Sequence, residues 1–128
     1  NFVTKRKPDT IFIPFPDRHI DHRIIFDSAI VASRPINFDS PKTVLLYETL
    51  SETHWNVPGV EASFLPDFFI RIDKEIKNKL NALKLYKSQI NNNTPSRSIE
   101  AIEALSKFRG SQNGCKYAEA FKVVRIVI

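Results

Sequence analysis

The sequence is short of several residue types that mark particular classes of protein. It has no methionine, one cysteine and three glycines in 128 residues. The single cysteine excludes an internal disulfide framework and a multi-cysteine zinc site, and it favours a reducing, cytoplasmic compartment. A dinucleotide-binding loop has no support, because the G-x-G-x-x-G pattern is absent. A chain without a starting methionine is expected to be a processed product or part of a longer protein.

Long apolar runs are also absent from the sequence. No stretch approaches the roughly 18 consecutive apolar residues that a transmembrane helix needs, so no membrane span is predicted. Hydrophobic residues nevertheless make up 42% of the chain and aromatic residues 11%. This content excludes intrinsic disorder, and the length allows one domain with a core of its own.

The charge is positive and unevenly distributed. There are 19 basic and 14 acidic residues, and residues 71–97 alone hold seven basic side chains against two acidic ones. A nucleic-acid surface usually interleaves arginine with aromatic residues, whereas this stretch is spaced by asparagine and leucine. We therefore predict the solvent-facing side of a helix and no nucleic-acid partner.

Short apolar segments alternate with helical patterns along the chain. Strands are predicted at 10–15, 43–47, 68–72 and 123–128, and helices at 24–32, 74–89 and 99–108, with a loop at 91–95. Asp73 is the expected N-cap of the second of these helices. The helix at 24–32 is apolar nearly all round, which predicts that it is buried against the sheet. This alternation predicts an α/β sandwich with a mainly parallel sheet, in which the last strand can run in either direction.

Two of the three histidines fall in one turn, His19-Ile20-Asp21-His22. The turn follows the first predicted strand and precedes the first long helix, and open α/β sheets bind ligands at that edge. Histidine is the usual acid or base near neutral pH and a common metal ligand. Asp21 is close enough in sequence to orient a neighbouring imidazole. The competing interpretation is a polar turn with Asp21 as the helix N-cap.

Four blocks of sequence resemble the PIG-L/LmbE family of zinc-dependent deacetylases, in the family's order. The first is the H-x-D-H element at His19–His22, and Leu45-Leu46-Tyr47-Glu48 is similar to the following strand. The other two blocks are Lys79-Leu80-Asn81-Ala82-Leu83 with Tyr86-Lys87-Ser88-Gln89, and Arg109-Gly110 with Tyr117-Ala118-Glu119-Ala120-Phe121 and Arg125. Together the blocks span most of the chain.

The resemblance implies a fold and a reaction. The fold is a three-layer Rossmann-like sandwich, and the reaction removes the N-acetyl group of an N-acetylglucosamine-type conjugate by a zinc-activated water. His22 would be a zinc ligand, His19 a general acid or an electrostatic partner of the oxyanion, and Asp21 would hold a histidine in place. Trp55 and Tyr117 are weaker candidates for binding the amino-sugar conjugate. Packing of the loop is an equal alternative for Trp55.

One motif of the family is missing. No His-Pro-Asp-Asp sequence occurs in the chain, and in the family that motif supplies two zinc ligands and the general base. Residues 1–128 are therefore expected to be the C-terminal portion of a deacetylase domain, inactive when separated from the rest. The alternative is a shortened sugar-binding or interaction module without catalysis. The sequence allows a homo-oligomer but does not specify one.

Overall fold

The structure is a computed structural model that describes residues 2–90 and 94–128. Most of the loop predicted at 91–95 lies outside the described residues. The strands are β1 (Thr10–Pro14), β2 (Thr43–Tyr47), β3 (Phe68–Arg71) and β4 (Ala118–Ile126). The helices are α1 (Phe2–Arg6), α2 (Ile20–Ala32), α3 (Ile76–Lys84) and α4 (Ile99–Ser111), with short 3-10 turns at Thr53–Trp55 and Pro95–Arg97.

The four strands form one open sheet in the order β1-β2-β4-β3. β1 and β2 are parallel, with Thr10 opposite Thr43 and Pro14 opposite Tyr47. β2 and β4 are antiparallel. The α/β class predicted from the sequence is confirmed, but the sheet is mixed, so the mainly parallel arrangement is not confirmed.

The chain divides into two compact units, residues 1–68 with 121–128, and residues 69–120. The first unit has its core between β1, β2 and the end of β4, with fully buried side chains at Ile13, Val44 and Leu45. Aromatic pairs extend this core, because the Phe15 and Phe64 rings meet edge to face with centroids 5.3 Å apart. The apolar run that predicts β2 is therefore largely buried, whereas in β1 only Ile13 and Pro14 are buried and Phe12 is 50% exposed.

The second unit joins α3 and α4 to the short segment that follows β3. Ile72 and Ile76 are buried at the start of α3. Asp73 does not cap this helix as expected, because its carboxylate accepts a hydrogen bond from the Tyr117 backbone N–H at 2.8 Å instead. The Arg71 guanidinium contacts the other carboxylate oxygen at 2.7 Å. The Asp73 side chain therefore links the segment before α3 to the segment after α4 by a hydrogen bond.

This bond makes the stability of the protein depend on pH. The Tyr117 N–H, followed by Arg71, holds the pKa of Asp73 below its ordinary value of 3.8. A lowered carboxyl pKa stabilises the fold above about pH 4, and that stability is lost as the pH falls through the folded-state pKa. We expect urea unfolding measured from pH 6 to pH 2 to show a shallower acid loss in Asp73→Asn than in the wild type. Asp27→Asn, at an exposed position of α2, should follow the wild type, and equal slopes for Asp73→Asn and the wild type would contradict the assignment.

The interpretation of the helix that follows β1 as a buried helix is wrong. α2 packs against β1, yet none of its side chains is buried. Ile24 is 57% exposed and Val31 also 57%. A helix that is apolar on all sides is buried only when other elements pack against more than one of its sides. Among the described residues, α2 packs against β1. No described helix is long and apolar enough to cross a membrane.

Candidate functional site

The site lies at the carboxyl ends of β1 and β2. Because these strands are parallel, the chain leaves both of them at the same edge of the sheet. Pro14 ends β1, and the Phe15 N–H still pairs with the Tyr47 carbonyl at 2.9 Å. His19 ends the turn that follows β1 and His22 lies in the first turn of α2, and the loop with the Thr53–Trp55 turn follows β2. The sequence-based expectation of a parallel strand edge at this turn is confirmed.

Asp17 is the buried centre of the site. It is 2% exposed. Its Oδ1 accepts from the His19 backbone N–H at 3.0 Å and lies 2.8 Å from His22 Nδ1. Its Oδ2 accepts from the Thr53 hydroxyl at 3.0 Å and lies 2.9 Å from the same His22 nitrogen. A buried carboxylate needs such donors, and here three groups supply them.

The contact with Asp17 determines which nitrogen of His22 is available. Nδ1 must carry a proton to donate to an ionised carboxylate, so in a neutral ring the lone pair is on Nε2. Within the described ranges, Nε2 has no hydrogen-bonding partner. Metal-binding histidines usually donate their second ring N–H to a carboxylate in this way, which fixes the tautomer and raises the basicity of the ring.

His19 has the opposite arrangement. It is the N-cap of α2, and its Nδ1 accepts a hydrogen bond from the Asp21 backbone N–H at 3.2 Å. The proton of a neutral His19 is therefore on Nε2. The His19 and His22 rings stack with centroids 4.8 Å apart and planes 26° from parallel. The two rings thus present one N–H donor and one lone pair from neighbouring positions.

The structure places Asp21 differently from the sequence-based expectation. Its carboxylate is 69% exposed and its Oδ2 lies 3.9 Å from His19 Nδ1, too far for a hydrogen bond. It is neither the N-cap, which is His19, nor the carboxylate that holds His22, which is Asp17. The sequence pattern does not single out Asp17, although this residue closely follows a strand ending in proline, a position from which a side chain can enter the cleft.

The loop after β2 supplies the remaining contacts. The Thr53 hydroxyl accepts from the Thr49 backbone N–H at 2.7 Å and donates to Asp17. Trp55 ends the same 3-10 turn and is 70% exposed. Tyr47 is the last residue of β2, and burial together with the charge of Asp17 raises its pKa. This loop has no periodic signal in its sequence, so nothing in the pattern points to Thr53.

Tyr117 belongs to the second unit. Its hydroxyl donates to Glu103 at 2.9 Å, and this bond raises the pKa of the tyrosine. Lys107 contacts the same Glu103 oxygen at 2.9 Å. The tyrosine hydroxyl is therefore engaged within its own unit, and its predicted role in substrate binding stays a prediction.

The donor chemistry fits one metal ligand but not a complete set. His22 has an oriented imidazole with a lone pair on Nε2, as a zinc ligand requires. His19 in its present tautomer offers an N–H instead. Among the residues that the structure describes, no group of three or more His, Cys, Asp and Glu side chains is placed to hold an ion. A catalytic zinc has three protein ligands, so further ligands would have to come from other residues.

Comparison with solved structures identifies proteins with a similar fold. No family model matches the sequence. The conserved protein TT1542 from Thermus thermophilus superposes with a TM-score of 0.74 at 24% identity, covering 99% of this chain and 56% of that one. The N,N'-diacetylchitobiose deacetylase from Pyrococcus horikoshii gives a TM-score of 0.68 at 20% identity, covering 96% of this chain and 48% of that one. The chain spans about half the length of these structures, and it shares their fold.

Proposed function

We propose that this chain contributes the histidine half of a zinc-dependent N-deacetylase site that acts on an N-acetylglucosamine-type amino sugar. The observation that carries the proposal is the buried Asp17 carboxylate on His22 Nδ1, which leaves Nε2 as a lone-pair donor at the carboxyl edge of two parallel strands. The fold shared with a chitobiose deacetylase supports the reaction class.

Each residue has a distinct proposed task. His22 would bind the metal through Nε2, and a bound zinc ion polarises an amide carbonyl and lowers the pKa of water. His19 would donate its Nε2 proton to the oxygen on which charge develops, or to the departing amine. Asp17 keeps His22 in the required tautomer. Trp55, which is exposed and lies in the same 3-10 turn as Thr53, is the proposed surface for stacking against a sugar ring.

The remaining ligands and the general base are proposed to lie in a longer form of the protein. Two observations support this: the matched structures are about twice as long as the aligned region, and α2 exposes several large apolar side chains, namely Ile20, Ile24, Ile25 and Val31. Residues 1–128 are thus proposed to be one portion of a catalytic domain.

The test compares histidine variants in the full-length protein. His22→Ala should lose both bound zinc and deacetylation of a chitobiose-type substrate, because it removes a ligand. His19→Ala should keep zinc and lower the turnover by about 10²–10⁴-fold, the usual contribution of a general acid. His54→Ala is the matched control, since the His54 ring contacts Glu48 rather than this pair. Full zinc content and activity in His22→Ala would refute the proposal.

A second candidate is a sugar-binding module without catalysis. It is favoured by the exposed Trp55 on an anchored loop and by the lack of a three-ligand group in the described part of the chain. Calorimetry with N,N'-diacetylchitobiose, together with a deacetylation assay, would distinguish the two candidates. Binding that needs Trp55, together with no deacetylation by the full-length protein, would favour the module.

A further inference from the structure

We infer that Thr53 is a positioning residue that sets the orientation of His22 by fixing the Asp17 carboxylate from the loop after β2. The inference rests on the proposed function, since the orientation of His22 matters there as that of a metal ligand. Thr53 acts on the imidazole through the Asp17 carboxylate, which contacts both side chains.

The direction of the Thr53 hydroxyl proton is determined by its two contacts. Its oxygen accepts the Thr49 N–H at 2.7 Å, and Asp17 Oδ2 lies 3.0 Å away. An ionised carboxylate can only accept, so the single hydroxyl proton points to Asp17. Thr53 is 2% exposed, which leaves it out of contact with bulk water. The bond is therefore shielded from competition by solvent.

The carboxylate of Asp17 is held at both oxygens. The His19 N–H binds Oδ1 and the Thr53 hydroxyl binds Oδ2. With both oxygens fixed, the carboxylate cannot rotate, and it keeps both oxygens within 2.9 Å of His22 Nδ1. Without Thr53, the described residues would leave Oδ2 with His22 as its remaining donor. The carboxylate can then turn about its other anchor, and the imidazole loses its defined orientation.

The same bond connects the imidazole to the loop that carries Trp55. Thr53 and Trp55 belong to one 3-10 turn, so a displacement of this turn changes the donor on Asp17. A ligand that stacks on Trp55 would thereby act on the orientation of His22.

The experiment observes the His22 ring by nitrogen-15 NMR in the full-length protein after removal of bound metal with a chelator. In the wild type, we expect an Nδ1–H signal that exchanges slowly with water. Thr53→Val keeps the shape of the side chain and removes both the donor to Asp17 and the acceptor of the Thr49 N–H. It should increase the exchange of the His22 proton about tenfold or more, the factor expected from losing a hydrogen bond to a charged group. Thr53→Ser keeps the donor and should restore slow exchange.

Two further variants keep the inference falsifiable. If Thr53→Val does not fold, Thr53→Ala removes the same donor without pressing a methyl group against the carboxylate. Leu50→Ala, on the same loop, is the control for a general loosening of the loop. Equal His22 signals in the wild type and the donor-free variants would overturn the inference, as would a failure of Thr53→Ser to restore them. These outcomes do not depend on deacetylation, so failure of the proposed function would be seen separately, in the assay of the full-length protein.

Discussion

Asp17→Asn is expected to destabilise the protein by about 3 kcal/mol, since a buried carboxylate with several donors loses hydrogen bonds worth about 1.5–3 kcal/mol each. An amide oxygen in the place of Oδ1 still accepts from the His19 N–H, which keeps the loss below the sum of the three bonds, while the NH₂ takes the place of Oδ2. The measurement is the free energy of unfolding from urea titration at pH 7. The size of the effect follows from the burial of Asp17, which is 2% exposed.

The same substitution should also reverse the tautomer of His22. An amide NH₂ placed against Nδ1 is a donor, so Nδ1 would become the acceptor and the proton would move to Nε2. The lone pair proposed to bind zinc would then be lost. In the full-length protein, we expect the zinc affinity to fall about 10–100-fold, the usual effect of losing the partner of a ligating histidine.

Asp21→Asn is the matched control for this result. Asp21 is an aspartate in the same turn, but its carboxylate is 69% exposed and lies too far from the His19 ring for a hydrogen bond. Its main contribution is a favourable charge in the first turn of α2, worth less than about 1 kcal/mol. If Asp21→Asn proved to be the more harmful of the two substitutions, the assignment of Asp17 as the orienting carboxylate would be wrong.

Asp17 and Asp21 illustrate which features of the site could be predicted from the sequence. Local patterns are sufficient for β2, whose predicted bounds of 43–47 match the structure. They are also sufficient to bring His19 and His22 together, because both are positioned by one turn and the first turn of a helix. The choice between Asp17 and Asp21 depends on the direction in which each carboxylate points. That direction is set by long-range contacts, among them the bond from Thr53, 36 residues away.

The direction of the strands shows the same limit. Apolar runs predict the positions of β1 and β2, since such runs are buried in a sheet. The last strand is predicted only in part, because β4 covers Ala118–Ile126 and the predicted strand covers 123–128. The antiparallel pairing of β4 with β2 does not follow from the sequence, because the periodicity is the same for both directions. For α2, the apolar residues correctly predict a helix that needs burial. They could not show that the described residues would cover only one side of it.

Gly110→Ala is expected to cost about 1–2 kcal/mol, although alanine is normally the better helix former. Gly110 lies in the last turn of α4, where the chain folds back and the Cys115 N–H donates to the Gly110 carbonyl at 3.1 Å. A Cβ at this position would lie 2.7 Å from the Cys115 carbonyl oxygen and from the Lys116 carbonyl carbon and oxygen. Overpacking costs typically about 1–3 kcal/mol, and backbone atoms cannot move aside as a flexible side chain can. The gain from helix propensity, about 1 kcal/mol, offsets only part of it.

The measurement combines urea unfolding with hydrogen exchange at the Cys115 amide. Displacement of residues 115–116 should speed exchange at that amide, because its bond to Gly110 is the contact that the new methyl group disturbs. Ser111→Ala is the control, since this neighbouring position in α4 is exposed and should change stability by no more than about 0.5 kcal/mol. If Gly110→Ala were as stable as the wild type, the close approach would not constrain this turn. A loss confined to Gly110 would show that the glycine lets the chain pass close to the end of α4 before β4 begins.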